Sequence, residues 1–226
     1  MKLLPLVSAL VALGTTNVHA GNATLTHDRA AFEAALVGPF TVETFGDGYS
    51  FPISTGVLNS TTELVPAYGE PIHAGDIQAG ATYSTPVGDS YFLNIDTGGG
   101  FSGGFLDGFY GTYAGRQLTV KFDQPVNSFG FDTNYLGGSQ QVTLSFTDHT
   151  TQTFMTSTTE MRFFGFSGSA IDSVTIGNTK DTRGFAFALD NVTFGQTTAV
   201  PEPESLALTL GGLLMTATLL RRRRQG

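Results

Sequence analysis

Between residues 118 and 194 the chain repeats one pattern seven times: a short run rich in Val, Ile, Thr and Phe, then a cluster of turn formers. The runs are 118–122, 128–132, 142–146, 152–154, 162–166, 171–176 and 185–194, and several alternate apolar and polar residues with period two. That period lays one set of side chains on each face of an extended strand, and it cannot be satisfied by a helix. Asp123-Gln124-Pro125, Leu136-Gly137-Gly138-Ser139, Asp148-His149-Thr150, the stretch 165–168 and Gly177-Asn178 read as the reversals between runs. Seven short strands at such spacing predict an all-β domain, an antiparallel β-sandwich of jelly-roll type. One short N-terminal helix interrupts the pattern. It runs from Asp28 or Arg29 to Leu36, with Asp28 as N-cap and Phe32 and Leu36 on one face.

Phenylalanine supplies the expected core. The chain holds 19 Phe and no Trp, and Phe129/Phe131, Leu144/Phe146 and Phe185/Phe187 each fall two apart, so each pair points to one side of its strand. The 177 residues from 21 to 197 are enough to bury such a core as one domain without disulfides. Cysteine is absent, which excludes thiol catalysis and Cys-ligated metal.

The two ends differ in kind from this body. At the start, Lys2, the apolar run from Leu3 to Leu13 and the small-x-small site Val18-His19-Ala20 have the order of a secretory signal peptide, predicting a signal helix over 1–20 and cleavage before Gly21. At the other end, Val200-Pro201-Glu202-Pro203 precedes an uncharged apolar stretch and then Arg221, Arg222, Arg223 and Arg224. The 15 residues 206–220 reach about 23 Å as a helix, so the predicted transmembrane helix 205–220 is a marginal span that draws on Ser205 and on the snorkelling arginine stems. The four arginines stay cytoplasmic and place the body across the membrane. The prolines on either side of Glu202 keep that segment extended and accessible to an enzyme.

With these three tail signals in sequence, the chain resembles the PEP-CTERM proteins of Gram-negative bacteria that produce exopolysaccharide. The resemblance implies that residues 198–226 are a sorting tail, that Val200, Pro201, Glu202 and Pro203 form the motif read by an exosortase, and that export uses the Sec machinery. It covers about one residue in eight and says nothing of residues 21–197, because such tails sit on unrelated domains.

Within the body, Thr41-Val42-Glu43-Thr44-Phe45-Gly46 and Phe187-Ala188-Leu189-Asp190-Asn191-Val192-Thr193-Phe194 resemble the opening and closing strands of calcium-stabilised, galactose-binding-like jelly rolls. In that family the two strands lie side by side and their acidic residues help to hold a structural Ca2+. The resemblance therefore implies Glu43 and Asp190 as ligands of such an ion. Asp190-Asn191 also reads as a hydrogen-bonded bulge in an edge strand.

Charge removes further classes. Residues 21–200 carry 17 Asp/Glu against 6 Lys/Arg, a net of −11 where the whole chain is −8, and so acidic a body repels phosphate backbones and excludes nucleic acid as a partner. The glycine-rich stretch 98–104 lacks the Lys and the strand-to-helix setting of a phosphate loop and reads as a surface loop. His27, His73 and His149 have no metal-ligand spacing. Tyrosines near glycine-rich loops, Tyr83, Tyr91, Tyr110, Tyr113 and Tyr135, could stack on sugar rings, with Tyr110 and Tyr113 as the candidate glycan contacts. Glu43, Asp47, Glu63, Glu70 and Asp76 contain the carboxylates from which a glycosidase pair could be drawn, but no hydrolase motif accompanies them.

The sequence thus predicts an exported protein of the cell surface or extracellular matrix, anchored in the inner membrane in transit, with a non-catalytic structural or adhesive role in the exopolysaccharide layer. A carbohydrate-binding module is the alternative reading and a glycan hydrolase the third. The expected partners are exosortase, the Sec machinery, the membrane and polysaccharide.

Overall fold

The computed structural model describes residues 21–197 apart from 49, 54–55, 86–91, 98–102, 110–116, 134–138, 158–159 and 179–186. The predicted signal helix, the transmembrane helix and both arginine and Pro-Glu-Pro signals lie outside the described residues. Among the described residues, no helix is long and apolar enough to cross a membrane.

The body is an all-β sandwich with one helix, and every strand pairing described is antiparallel. After β1 (Ala23–Thr26), α1 (Arg29–Ala35) leads into β2 (Leu36–Glu43). Six short strands follow: β3 (Ser50–Ile53), β4 (Val57–Leu58), β5 (Tyr68–Gly69), β6 (Ala81–Ser84), β7 (Phe92–Thr97) and β8 (Gly104–Phe109). The chain then builds β9 (Gln117–Thr133), β10 (Ser139–Phe146), β11 (Thr151–Ser157), β12 (Arg162–Asn178) and β13 (Ala188–Thr197). Their lateral order is β11-β10-β12-β9-β13-β8-β7-β3-β5, with β1 on β12, β2 on β13 and β6 on β9.

Two of the expected reversals are not reversals. The predicted strands 118–122 and 128–132 form one strand, β9, which passes through Asp123-Gln124-Pro125 without turning back. Likewise 162–166 and 171–176 belong to β12, whose register against β9 slips between Ser167 and Ser173. The two irregularities face each other, with Ser167 opposite Ser128, Ile171 opposite Val126 and Ser173 opposite Lys121. Both strands therefore bend at one place. A bulge or a Pro on a bend breaks local pairing as a turn would, but here the ladder resumes beyond it.

The alternation of β9 explains the core. Phe129 and Phe131 point inward and are fully buried with Phe166 and Phe164 of β12, Val142 and Leu144 of β10, and Leu93, Ile95 and Leu106 of the short strands, in one continuous cluster. Phe122, Phe129, Phe131, Phe164, Phe166 and Phe194 form a chain of ring contacts at 5.4–6.5 Å between centroids. The pairs Phe129/Phe131 and Leu144/Phe146 are buried together, as their spacing predicts.

Helix α1 begins where Asp28 accepts a hydrogen bond from the Ala31 N–H at 2.9 Å, as expected for an N-cap. It docks on the outer face through Phe32, which meets Phe163 edge-on at 5.2 Å, and through Arg29, whose guanidinium lies 4.4 Å from the Phe163 ring centre. Gly130 and Gly165 are opposite each other beneath this ring, and a Cβ on either would come within 2.6–2.7 Å of it. The glycine pair is the seat that lets the helix approach.

Candidate functional site

Strand β13 leaves the core with neighbours on both sides. Ala188 and Leu189 pair with β8, Asp190 lies opposite Asp132 of β9, and Val192 lies opposite Glu43 of β2. The opening and closing strands do run side by side, and they bring Glu43 and Asp190 into one electrostatic neighbourhood. Asn191 adopts φ 48° and the register slips there, so Asp190-Asn191 is indeed a bulge, though in an interior strand rather than at an edge.

Both carboxyl groups are buried, at 2 % exposure each. Glu43 accepts hydrogen bonds from the Phe45 and Gln78 N–H groups, each at 2.6 Å. Burial nevertheless holds its carboxyl above the ordinary range, against the pull of those N–H groups. Asp190 accepts from the Asn191 N–H at 2.6 Å, and its carboxyl is pushed up to about 6, by burial first and then by Asp132 and Glu43. The Asn191 amide bridges Asp190 and Asp132 at 3.1 and 3.0 Å. The cation that serves this seam is Arg29, paired with Asp132 at 2.9 Å and with Glu33 at 2.9 Å. Neither Asp132 nor Arg29 stood out in the sequence; the available signal was a polar residue, Asp132, ending a run of core phenylalanines.

The donor set around Glu43 and Asp190 is all oxygen, which fits a hard cation such as Ca2+ in chemical type. Among the described residues, however, no group of three or more His, Cys, Asp or Glu side chains gathers at metal-holding spacing, so any further ligands would be carbonyls or water. His27 bonds the Phe163 carbonyl, His73 faces Glu63 at 3.8 Å and His149 sits in a turn at φ 67°; the three do not meet.

A second feature lies beside the same strand end. After Glu43 the chain kinks through Phe45 and Gly46, both at positive φ, and opens a cleft of about 250 Å3 against β3 and the 70–77 loop. Phe45, Ile72, Ile77 and Ile95 form its apolar wall; Gly48, Ser50, Glu70 and Asp76 form its polar side. Ser50 is fixed by donating to the Glu70 carbonyl at 2.6 Å, and Asp76 caps the His73 N–H at 2.7 Å. Of the five carboxylates named for a hydrolase pair, Glu70 and Asp76 share this cleft, Glu43 is buried outside its lining, and Asp47 and Glu63 are exposed outside it.

The candidate glycan contacts fare differently. Tyr83 is fully buried against Phe45, ring centres 5.3 Å apart, and cannot meet a sugar; its strand β6 pairs with β9, so the side chain faces the core. Tyr110 and Tyr113, like Val200, Pro201, Glu202, Pro203 and Arg221, Arg222, Arg223 and Arg224, lie outside the described residues.

No protein-family model matches the chain. No curated protein matches it either. It is similar to solved structures of CBM29-2, a family 29 carbohydrate-binding module. A variant complexed with mannohexaose matches at TM-score 0.40 and 11% identity over 71% of this chain and 95% of that one; a second variant matches at TM-score 0.38 and 13% identity over 74% and 99%. Likeness at that level transfers neither ligand nor contact residues.

Proposed function

We propose that this is an exported, non-catalytic β-sandwich of the cell surface or extracellular matrix that acts by binding polysaccharide, as a structural or adhesive part of the exopolysaccharide layer. The observation that carries the reading is the cleft beside Phe45. It pairs an apolar wall with the Ser50 hydroxyl and the carboxylates of Glu70 and Asp76, and a sugar ring presents the complementary combination of C–H face and hydroxyl donors. Export and exosortase sorting rest on the sequence of the two ends. The resulting test is glycan affinity of the full chain across neutral and acidic polysaccharides. Gly48 lines the cleft at ordinary φ, and a Cβ there would meet only Glu70 at 3.6 Å, so Gly48→Leu fills the space without backbone strain. Affinity should drop at least about tenfold, or 1.4 kcal/mol, in that variant; unchanged binding would move the site elsewhere, and no binding to any glycan would end the reading.

A structural Ca2+ held in part by Glu43 and Asp190 is the second reading. Two buried carboxyl groups on adjacent strands favour it, because a divalent cation would offset the charge that burial penalises. Thermal unfolding with calcium and with chelator tests this, and identical transitions would remove the site.

A further inference from the structure

Gly21, the first of the described residues, is the one that follows the predicted cleavage site. Its nitrogen donates to the Asp148 carboxylate at 2.8 Å and to the Thr150 hydroxyl at 2.8 Å. Asn22 and Ala23 then continue onto the sheet through Ser169 and Gln152 at 3.0 and 2.7 Å. Two acceptors thus converge on one nitrogen, from a turn 127 and 129 residues away.

The socket is built in detail. The Asp148 carboxylate is oriented by Thr150, whose N–H and hydroxyl donate to it at 2.9 and 2.6 Å. Gly21 lies flat on Phe146, where a Cβ would stand 2.3 Å from the ring, so no other residue type fits at this position. A backbone amide offers a single hydrogen and no charge. The same nitrogen as a free terminus offers three hydrogens and a positive charge, which a carboxylate with a neighbouring hydroxyl accepts far better.

We propose that the Asp148–Thr150 turn is the receptor for the α-ammonium of Gly21, so that removal of residues 1–20 creates an ion pair that closes the first strand onto the β10–β11 turn. Hydrolysis of the Ala20–Gly21 peptide bond adds one water, leaving a carboxylate on Ala20 and the amine on Gly21, which is protonated at neutral pH. Processing thereby tightens the domain only once it has been exported. The Thr150 donors hold the Asp148 carboxyl below its ordinary range, so it is ionised at neutral pH, where the amine is protonated.

The proposal is independent of any glycan. It is tested with chains that begin at Gly21 and at Ala20, each otherwise complete, and each with and without Asp148→Asn. An ion pair at a partly exposed terminus is a small effect, and Asp148→Asn should lower the melting temperature of the Gly21 chain by about 2–4 °C more than that of the Ala20 chain. The excess should shrink in high salt. Equal losses in the two chains would overturn the proposal, as would a mature protein from the native host whose mass places its first residue anywhere other than Gly21.

Discussion

The stretch from 117 to 197 and the stretch from 50 to 109 share one core but are built differently. The first consists of strands of 7 to 17 residues in continuous ladders, with the phenylalanine chain running through them. The second consists of six strands of 2 to 6 residues, and the loop between β4 and β6 is tied by single interactions such as the Leu64–Ile72 bridge and the Ser50 hydroxyl on the Glu70 carbonyl. Long ladders make a rigid wall. Short strands leave room between them, and the cleft is found there.

The largest effect should come from removing a ring from the long ladders. Phe129→Ala should cost about 3–5 kcal/mol in denaturant unfolding, whereas Ile72→Ala, equally buried but in the short-strand stretch, should fall near the lower end for aliphatic truncations, about 2 kcal/mol. Amide exchange should show the same contrast, with 50–109 opening before 117–197. Equal costs and uniform protection would dissolve the distinction.

Next in size is the seam where the two stretches meet. The Asp190 carboxyl is raised to about 6 in the folded chain, so its contribution to stability is greatest while it is protonated and is lost as pH rises from about 4 through about 6. Screening by solvent leaves a loss on the order of 1–3 kcal/mol by neutral pH. In chelator, Asp190→Asn should flatten this part of the stability profile; a slope unchanged by the substitution would show that Asp190 does not titrate as its burial requires. Smallest is the helix that roofs the ladder: Asp28→Ala should cost about 1 kcal/mol, read as a shift of the unfolding midpoint with unchanged slope.

Legibility followed the same division. The apolar alternation in Phe129/Phe131 and Leu144/Phe146 and the N-cap at Asp28 are legible directly, because each depends on neighbours close in sequence; the strand at 41–46 rests on the resemblance, and in the structure it runs over Leu36–Glu43 instead. The breaks at Asp123-Gln124-Pro125 and 165–168 were misread, since local composition does not distinguish a bend within a strand from a reversal. The strands β3 to β8 escaped altogether. At two to six residues they show too few repeats for a period, although Leu93/Ile95 and Ala81/Tyr83 alternate in hindsight. Glu43 and Asp190 are paired in the sequence only through family resemblance; in the structure each accepts backbone N–H bonds and the two feel each other electrostatically. The cleft is not legible in the sequence because its lining comes from loops and two short strands spread over 45–95.

The position of β13 has a mechanical consequence. Gly195 and Thr193 are flanked by β9 on one side, and Thr193 and Phe194 by β2 on the other, down to Thr197 opposite Leu36. A force directed along β13 at Thr197 would load the rungs to β2 and β9 together instead of peeling one flank.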